Sequence, residues 1–306
     1  MTDEYELIAH SKLSHINTFV IEITYRNFHV HSDFELIIAL GGDGYIKLKN
    51  DNYYLKSGDS FLINPNEIHE IKSFDESLKL IIIQFSRNFC NDYFPLLRST
   101  YFNIVNIKSV FDEKDYIDFI NISKNLAISY MKMNSFFELD CVNMLTKILL
   151  YLYENMPYEV FDDSKYPERK KKYQRISRLS AYIDSNYQYP IRLSDLAKEE
   201  KITVTHLSHF FSENFGVTFQ EYLNSIRLEK ALILAKNKDL SLSSISQMSG
   251  FSDPKYLIKT FQNRFGYSFK EFKNSSNLKY DKHYELNALP LQRYYTTEES
   301  LNLINK

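Results

Sequence analysis

Four side chains near the start of the chain have the types and spacing of a ligand-holding centre: His29-x-His31-x3-Glu35, and then His69. Residues two apart in an extended strand face the same side, so His29 and His31 share a face and a carboxylate four further on also turns inward. A third imidazole, from His69, would close a set of N and O donors suited to a transition metal. The same groups, joined by the guanidinium of Arg26, also suit hydrogen bonds to a hydroxyl-rich small molecule, or to one another as core histidines. The two cysteines, Cys90 and Cys141, have neither close spacing nor a neighbouring histidine motif, and read as buried reduced thiols.

Such a centre needs strands to hold it, and residues 17–86 supply short β-rich runs at 18–25, 34–40, 45–50, 60–64 and 78–85. Gly41-Gly42-Asp43-Gly44 and Asn50-Asp51-Asn52 fall between runs, where tight turns need positive φ, and Ile46 and Leu48 alternate with Lys47 and Lys49. Closely spaced antiparallel strands predict a sandwich or small barrel. After Asp112 the period changes: Ile117, Ile120, Ala127, Ile128 and Met131, then Cys141, Leu145, Ile148, Leu149 and Leu152, recur at helical spacing. Their stripes can pack on the barrel or on a second subunit. Pro157 and Pro167 bracket a polar segment that reads as a linker.

Beyond the linker lies a repeat. Leu207-x3-Phe211-x3-Phe215-Gly216-x-Thr218-Phe219-x-Glu221-Tyr222 recurs 50 residues later as Leu257-x3-Phe261-x3-Phe265-Gly266-x-Ser268-Phe269-x-Glu271-Phe272. Leucine and phenylalanine four apart make one helix face, and each glycine is placed to end its helix in the left-handed conformation. Thr218-x-x-Glu221 and Ser268-x-x-Glu271 have capping-box spacing and restart a helix after a sharp turn. A shorter helix precedes each copy, on Leu193, Leu196 and Ala197 and on Leu242, Ile245 and Ser246; here the offset falls to 49. The extra residue of the second unit falls near Asp253-Pro254, a cap followed by a first-turn proline. Small Ala197 and Ser246 permit a close crossing, and Gly250 permits the turn. The pattern predicts two helix-turn-helix units.

From about Tyr173 to Phe272 the chain resembles the DNA-binding domain of the AraC/XylS regulators, whose motif stands here from Gly250-Phe251 to Phe265-Gly266. Two departures are Phe219 and Phe269, where a proline is common, and Lys201 at a turn position usually small, which takes on strain if held at positive φ. The resemblance implies base contacts from Thr205, Ser208 and His209 in the first unit and from Lys255, Ile258 and Lys259 in the second. His209 stands where relatives often carry arginine, so the first unit is electrostatically the weaker. A connector of about 19 residues, roughly 28 Å of helix, would hold the two recognition helices near the 34 Å spacing of successive major grooves. The N-terminal motif, with Gly58 eleven residues before His69, resembles cupins, although Pro65-x3-His69 is one residue short of the enzyme form.

Charge agrees with this division. Residues 1–165 hold 15 Lys+Arg against 24 Asp+Glu, residues 166–274 hold 18 against 11, and residues 275–306 hold 4 against 4. A basic block joined to an acidic one fits a second domain that meets a polyanion. The expected architecture is α+β and multidomain: a cupin-like effector domain (1–111; β-sandwich or jelly-roll barrel), dimerisation helices (112–157), a linker (158–167), an all-α double helix-turn-helix domain (168–274) and an extension (275–306). Residues 1–15 read as an arm, and Thr296-x-x-Glu299 as a helix start within the extension. No run is long and apolar enough to cross a bilayer, which predicts a cytoplasmic protein.

The expected partners are double-stranded promoter DNA, RNA polymerase, a second copy of the chain and a small effector. That effector, a sugar or glycoside in control of catabolic genes, would be held by Arg26, His29, His31, Glu35 and His69, with no cofactor, metal or turnover. The alternatives are a metal-dependent cupin enzyme fused to a DNA-binding domain, with His29, His31, Glu35 and His69 as ligands, and a regulator without ligand.

Overall fold

The computed structural model describes residues 12–48, 51–74, 76–103, 106–161, 167–235, 239–265, 268–274 and 292–305. The N-terminal half is a sandwich of two antiparallel sheets. One sheet runs β11(Gln292–Tyr294), β1(Ile16–Ile23), β8(Leu78–Phe85), β3(Phe34–Gly41), β6(Ser60–Ile63); the other runs β2(Tyr25–His29), β7(His69–Ser73), β4(Gly44–Leu48), β5(Asp51–Leu55). Strands β3 and β8 read as continuous apolar runs because both their faces are covered. Ile37, Ala39, Leu80 and Ile82 face the sandwich interior. Leu36, Ile38, Ile81 and Ile83 face outward beneath two helices.

Those helices are α1(Glu113–Lys132) and α2(Phe137–Asn155). Asp112 caps α1 by accepting from the Asp115 N–H at 2.8 Å. Ala127 and Met131, with the whole α2 stripe Cys141, Leu145, Ile148, Leu149 and Leu152, are buried against the outer face of the first sheet. Their apolar stripes are therefore spent within the chain. Ile117 points away, 52% exposed. Cys141 is buried, whereas Cys90 is only half-buried, and both are free thiols. Part of the expected linker is a strand, β10(Tyr158–Val160), paired with β9(Thr100–Phe102).

The C-terminal half is helical: α3(Pro167–Asn186), α4(Leu193–Glu199), α5(Val204–Phe215), α6(Phe219–Ala235), α7(Leu242–Met248), α8(Pro254–Phe265) and α9(Phe269–Asn274). Leu196, Ala197, Leu207, Phe211 and Phe215 share one core with Ile176, Leu179 and Ile183 of α3. Ile245, Leu257, Phe261 and Phe269 form a second core. Helix α6 supplies residues to both, Tyr222 to the first and Leu232 to the second. Glu200 accepts from Arg175 and Arg178, each at 2.9 Å, and so ties the end of α4 to α3.

The extension returns to the first domain. Strand β11 pairs antiparallel with the outer edge of β1, Ile21 opposite Tyr294, and α10(Thr297–Ile304) follows behind a Thr296/Glu299 capping box. Ile304 is buried in the layer that holds α1. The edge of β1 is thereby covered by the chain's own terminus. None of the described helices is long and apolar enough to cross a membrane.

Candidate effector centre and nucleic-acid surface

The four ligand-type side chains converge, but from two sheets rather than along one strand. His29 ends β2 directly opposite His69, which opens β7, while His31 follows on the loop. Glu35 comes from β3 of the facing sheet, where Gln84 of β8 donates to it at 2.9 Å. The ligand atoms of all four residues lie within 4.8 Å of one another, and all four side chains are buried. Glu35 Oε2 is 3.1 Å from His31 Nε2, and Oε1 is 3.4 Å from His69 Nε2. Burial alone would raise the Glu35 carboxyl, but the two imidazoles together hold it well below the usual carboxylate range. His29 is held below the usual imidazole range by burial and then by the neighbouring Arg26.

The other ring nitrogens are tethered. Nδ1 of His29, His31 and His69 lies 2.9, 2.9 and 3.0 Å from the carbonyl oxygens of Asn27, Asp33 and Glu67. A carbonyl only accepts, so each Nδ1 carries a proton. Arg26 Nε donates to the Nε2 lone pair of His29 at 2.9 Å, which makes that ring the neutral one of the three with both nitrogens assigned. All five residues expected to meet an effector are thus brought together. The contributions of Gln84 and of Gln292, which accepts from Arg26 Nη1 at 2.8 Å, have no signal in the sequence. They lie 49 and 266 residues from their partners.

The strands that carry the histidines face two ways. Phe28, Val30 and Ile68 alternate with His29, His31 and His69, as period two requires, and are buried in the core of the first helix-turn-helix unit. The Phe28 ring centroid lies 6.5 Å from that of Tyr222 on α6. The centre and the helical domain are therefore separated by one strand layer.

Both turns form by the same bonds. Lys201 and Ile202 N–H groups bond to Lys198 and Ala197 carbonyls, and 49 residues later Gly250 and Phe251 bond to Gln247 and Ser246. Lys201 has φ 55° and Gly250 φ 83°, so the first turn does hold a lysine in the left-handed region. Gly216 ends α5 at φ 67°, while Gly266 and the side chains of Phe265 and Glu271 lie outside what is described. Thr218 and Glu221 exchange both capping-box bonds, at 2.8 and 3.2 Å. Asp253 accepts from Lys255 N–H, and Pro254 takes the first position of α8. Where proline is common, Phe219 and Phe269 pack on Phe211 and Phe261 at 5.5 and 5.2 Å in the two units.

Of the expected base contacts, Thr205, Ser208 and His209 on α5 and Lys255 and Lys259 on α8 are exposed. Ile258 is half-buried and packs against the second core, which leaves it little side chain to offer a groove. Tyr256, 61% exposed beside Lys255, was not anticipated on this surface. A helix face of mixed polarity gives an exposed tyrosine no distinguishing pattern.

Two known domain families match the chain. Residues 18–104 match the AraC-like ligand binding domain and residues 196–275 the helix-turn-helix domain, together more than half of the chain. The chain belongs to the AraC/XylS family. An uncharacterized HTH-type transcriptional regulator of Staphylococcus aureus strain MRSA252 is 23% identical over 224 residues, 73% of this chain and 29% of that protein. The chain thus spans less than a third of the length of the first relatives it matches. The Msm operon regulatory protein of Streptococcus mutans is 26% identical over 246 residues, 80% of this AraC/XylS member and 85% of its relative. Among solved structures, ToxT from Vibrio cholerae O395 superposes with a TM-score of 0.46 and 17% identity, covering 86% of this chain and 99% of that one.

Proposed function

We propose that this AraC/XylS member is a sequence-specific regulator of transcription that binds promoter DNA through α5 and α8 and answers to a small effector in its N-terminal sandwich. The observation that carries the reading is the duplication itself: two units with matching turn bonds and exposed recognition faces, sharing the single helix α6. At about 1.5 Å per residue its described span is roughly 25 Å, a length that suits successive major grooves on one DNA face. Lys255 and Lys259 supply donors to guanine edges or phosphates, and His209, Ser208 and Thr205 supply finer discrimination in the first unit. RNA polymerase is the partner that turns such binding into regulation. A homodimer would use the outward faces of α1 and α2, where Leu139 and Leu150 are exposed with Ile117.

The effector reading rests on Arg26, His29, His31, Glu35 and His69. Their donors and acceptors suit a sugar or glycoside, as expected of a regulator of catabolic genes, but groups this close would have to part around a pyranose ring. Sensing is favoured over turnover because the centre lies one strand layer from the helical domain.

Electrophoretic or fluorescence titration with an operator fragment at fixed salt tests both halves. Lys255→Ala and Lys259→Ala should each weaken specific binding by about tenfold, in the range of one lost base contact. Equal affinity in both variants would remove α8 from the DNA contact. In the same titration a panel of mono- and disaccharides should contain one that shifts the midpoint; a panel without effect removes carbohydrate from the reading.

A further inference from the structure

Between the sandwich and α3 lies a cleft whose polar lining the fold does not use. Arg87 follows β8 and Arg98 sits in the short helix Pro95–Ser99; with Asn66, Tyr101, Phe161 and Tyr173 they line a space of about 430 Å³, its open mouth included. Neither guanidinium has a hydrogen bond or ion pair among the described residues. Asn66 is only 7% exposed, and its side-chain amide likewise has no bond among them. Its backbone is fixed, with φ 63° and the N–H donating to the His31 carbonyl at 2.8 Å. A nearly buried amide without a partner costs free energy that an acceptor in the cleft would recover.

These donors call for an anion, and two guanidiniums call for more than one charge. A carboxylate fills the fork of a single guanidinium, whereas a phosphomonoester, with about −1.5 to −2 charges at pH 7 and three terminal oxygens, serves two. The Glu67 carboxylate is already committed to the wall: it accepts from the Tyr101 hydroxyl at 2.6 Å and from the Asn64 backbone and amide at 3.3 Å. The rest of the lining is aromatic. Tyr101 and Phe161 stand edge to face at 6.3 Å, and the Phe161 N–H is pinned to the Ser99 carbonyl at 2.8 Å. Tyr173 comes from α3 and packs against the core of the first helix-turn-helix unit. Such rings offer apolar faces to a flat organic group beside the charge.

We propose that this cleft binds a phosphomonoester of a flat ring compound, its phosphate held by Arg87, Arg98 and Asn66 and its ring set against Tyr101, Phe161 and Tyr173, and that occupancy fastens the sandwich to α3. The site is separate from the centre of His29, His31, Glu35 and His69, and it goes beyond the regulatory reading without depending on it. Its arginines belong to the sandwich and Tyr173 to the helical half. A ligand that touches both binds the docked arrangement better than a separated one, and shifts the population toward it.

The test is calorimetric titration of the full-length chain with phenyl phosphate, inorganic phosphate and benzoate, alongside hydrogen exchange. One phenyl phosphate per chain is expected, bound about tenfold more tightly than inorganic phosphate because of the aromatic wall, and more tightly than benzoate. Arg87→Gln and Arg98→Gln each remove a cation that bonds nothing, so thermal unfolding of the ligand-free chain should not move. Phenyl phosphate affinity should nevertheless fall roughly ten- to hundredfold in each. Tyr173→Leu, which keeps an apolar group on α3, should retain inorganic phosphate affinity and lose the advantage of phenyl phosphate. Exchange in α3 around Tyr173 should slow when phenyl phosphate is added. Absence of saturable binding, or affinity unchanged in both arginine variants, overturns the site. Benzoate bound as tightly as phenyl phosphate overturns the phosphomonoester, and inorganic phosphate bound as tightly reduces the site to an adventitious ion only. Exchange in α3 that ignores the ligand overturns the fastening. Operator binding is measured separately, so that its absence defeats the regulatory reading while the cleft stands or falls alone.

Discussion

Lys201 and Gly250 occupy equivalent turns, make equivalent bonds, and differ in what the left-handed backbone costs them. A side chain at φ 55° is strained by about 1 kcal/mol relative to glycine. Lys201→Gly should therefore leave stability level or raise it by up to about 1 kcal/mol, the added freedom of the unfolded chain offsetting part of the gain. Gly250→Ala has no such latitude: a Cβ there would meet the Tyr187 carbonyl oxygen at 2.3 Å and the Gln188 Cα at 2.9 Å. Its cost should exceed about 2 kcal/mol, since strain and a backbone clash add. Urea unfolding of the two variants decides the matter, and a Gly250→Ala protein as stable as the parent would contradict the turn geometry. Both positions were legible because the repeat aligns them. The partners that orient the histidine rings were not: they are backbone carbonyls, which every residue has, so composition carries no trace of them.

At the scale of elements, legibility followed how apolar each inward face is. Strands β3 and β8 announce themselves, and the α1 and α2 stripes are read from their period. Strands β2, β5 and β7 were not among the expected runs. In β7 the inner positions of His69-Glu70-Ile71-Lys72-Ser73 include an imidazole where a plain strand would show a hydrophobe, and β5 is an edge with its first two residues exposed. A site that replaces apolar groups with polar ones conceals the elements that hold it. The junction of α3 with α4 offers a prediction of pH dependence. Arg178, and then Arg175, hold the Glu200 carboxyl below its usual range, so its contribution is present above about pH 4.5 and is lost as pH falls through the lower folded value. Being half-buried and partly screened, the cluster should contribute only about 0.5–1 kcal/mol. Glu200→Gln should lower the midpoint of thermal unfolding at pH 7 and flatten its dependence on pH below 4.5. Parallel acid profiles for parent and variant would show that the ion pairs do not titrate with folding.

For the whole molecule, the two functional halves are joined by surfaces that no local pattern distinguishes. Phe28, Val30 and Ile68 look like ordinary strand hydrophobes, and their destination in the helical core follows only from where the domains meet. The same holds for Gln292, which pairs opposite Ile23 of β1 and lies 266 residues from its partner Arg26. Among the described residues the sandwich meets the helical half through Phe28, Val30 and Ile68 and through a polar relay in which Gln292 accepts from Arg26 and donates to Glu229 of α6 at 3.4 Å. Phe28→Ala removes the ring that faces Tyr222 and leaves the sandwich interior untouched, because Phe28 belongs to the helical core and not to the cluster between the sheets. Truncating a buried phenylalanine costs about 3–5 kcal/mol where the surroundings cannot close. Here the domains can separate, so the loss should surface as undocking rather than unfolding. Small-angle scattering should show a larger radius of gyration, and hydrogen exchange should rise along α6 near Tyr222 and Ile226 while β3 and β8 keep their protection. If the variant stays compact and the α6 exchange is unaltered, the apolar contact is not what holds the domains together, and the Arg26–Gln292–Glu229 relay must carry more of the docking than its three side chains suggest.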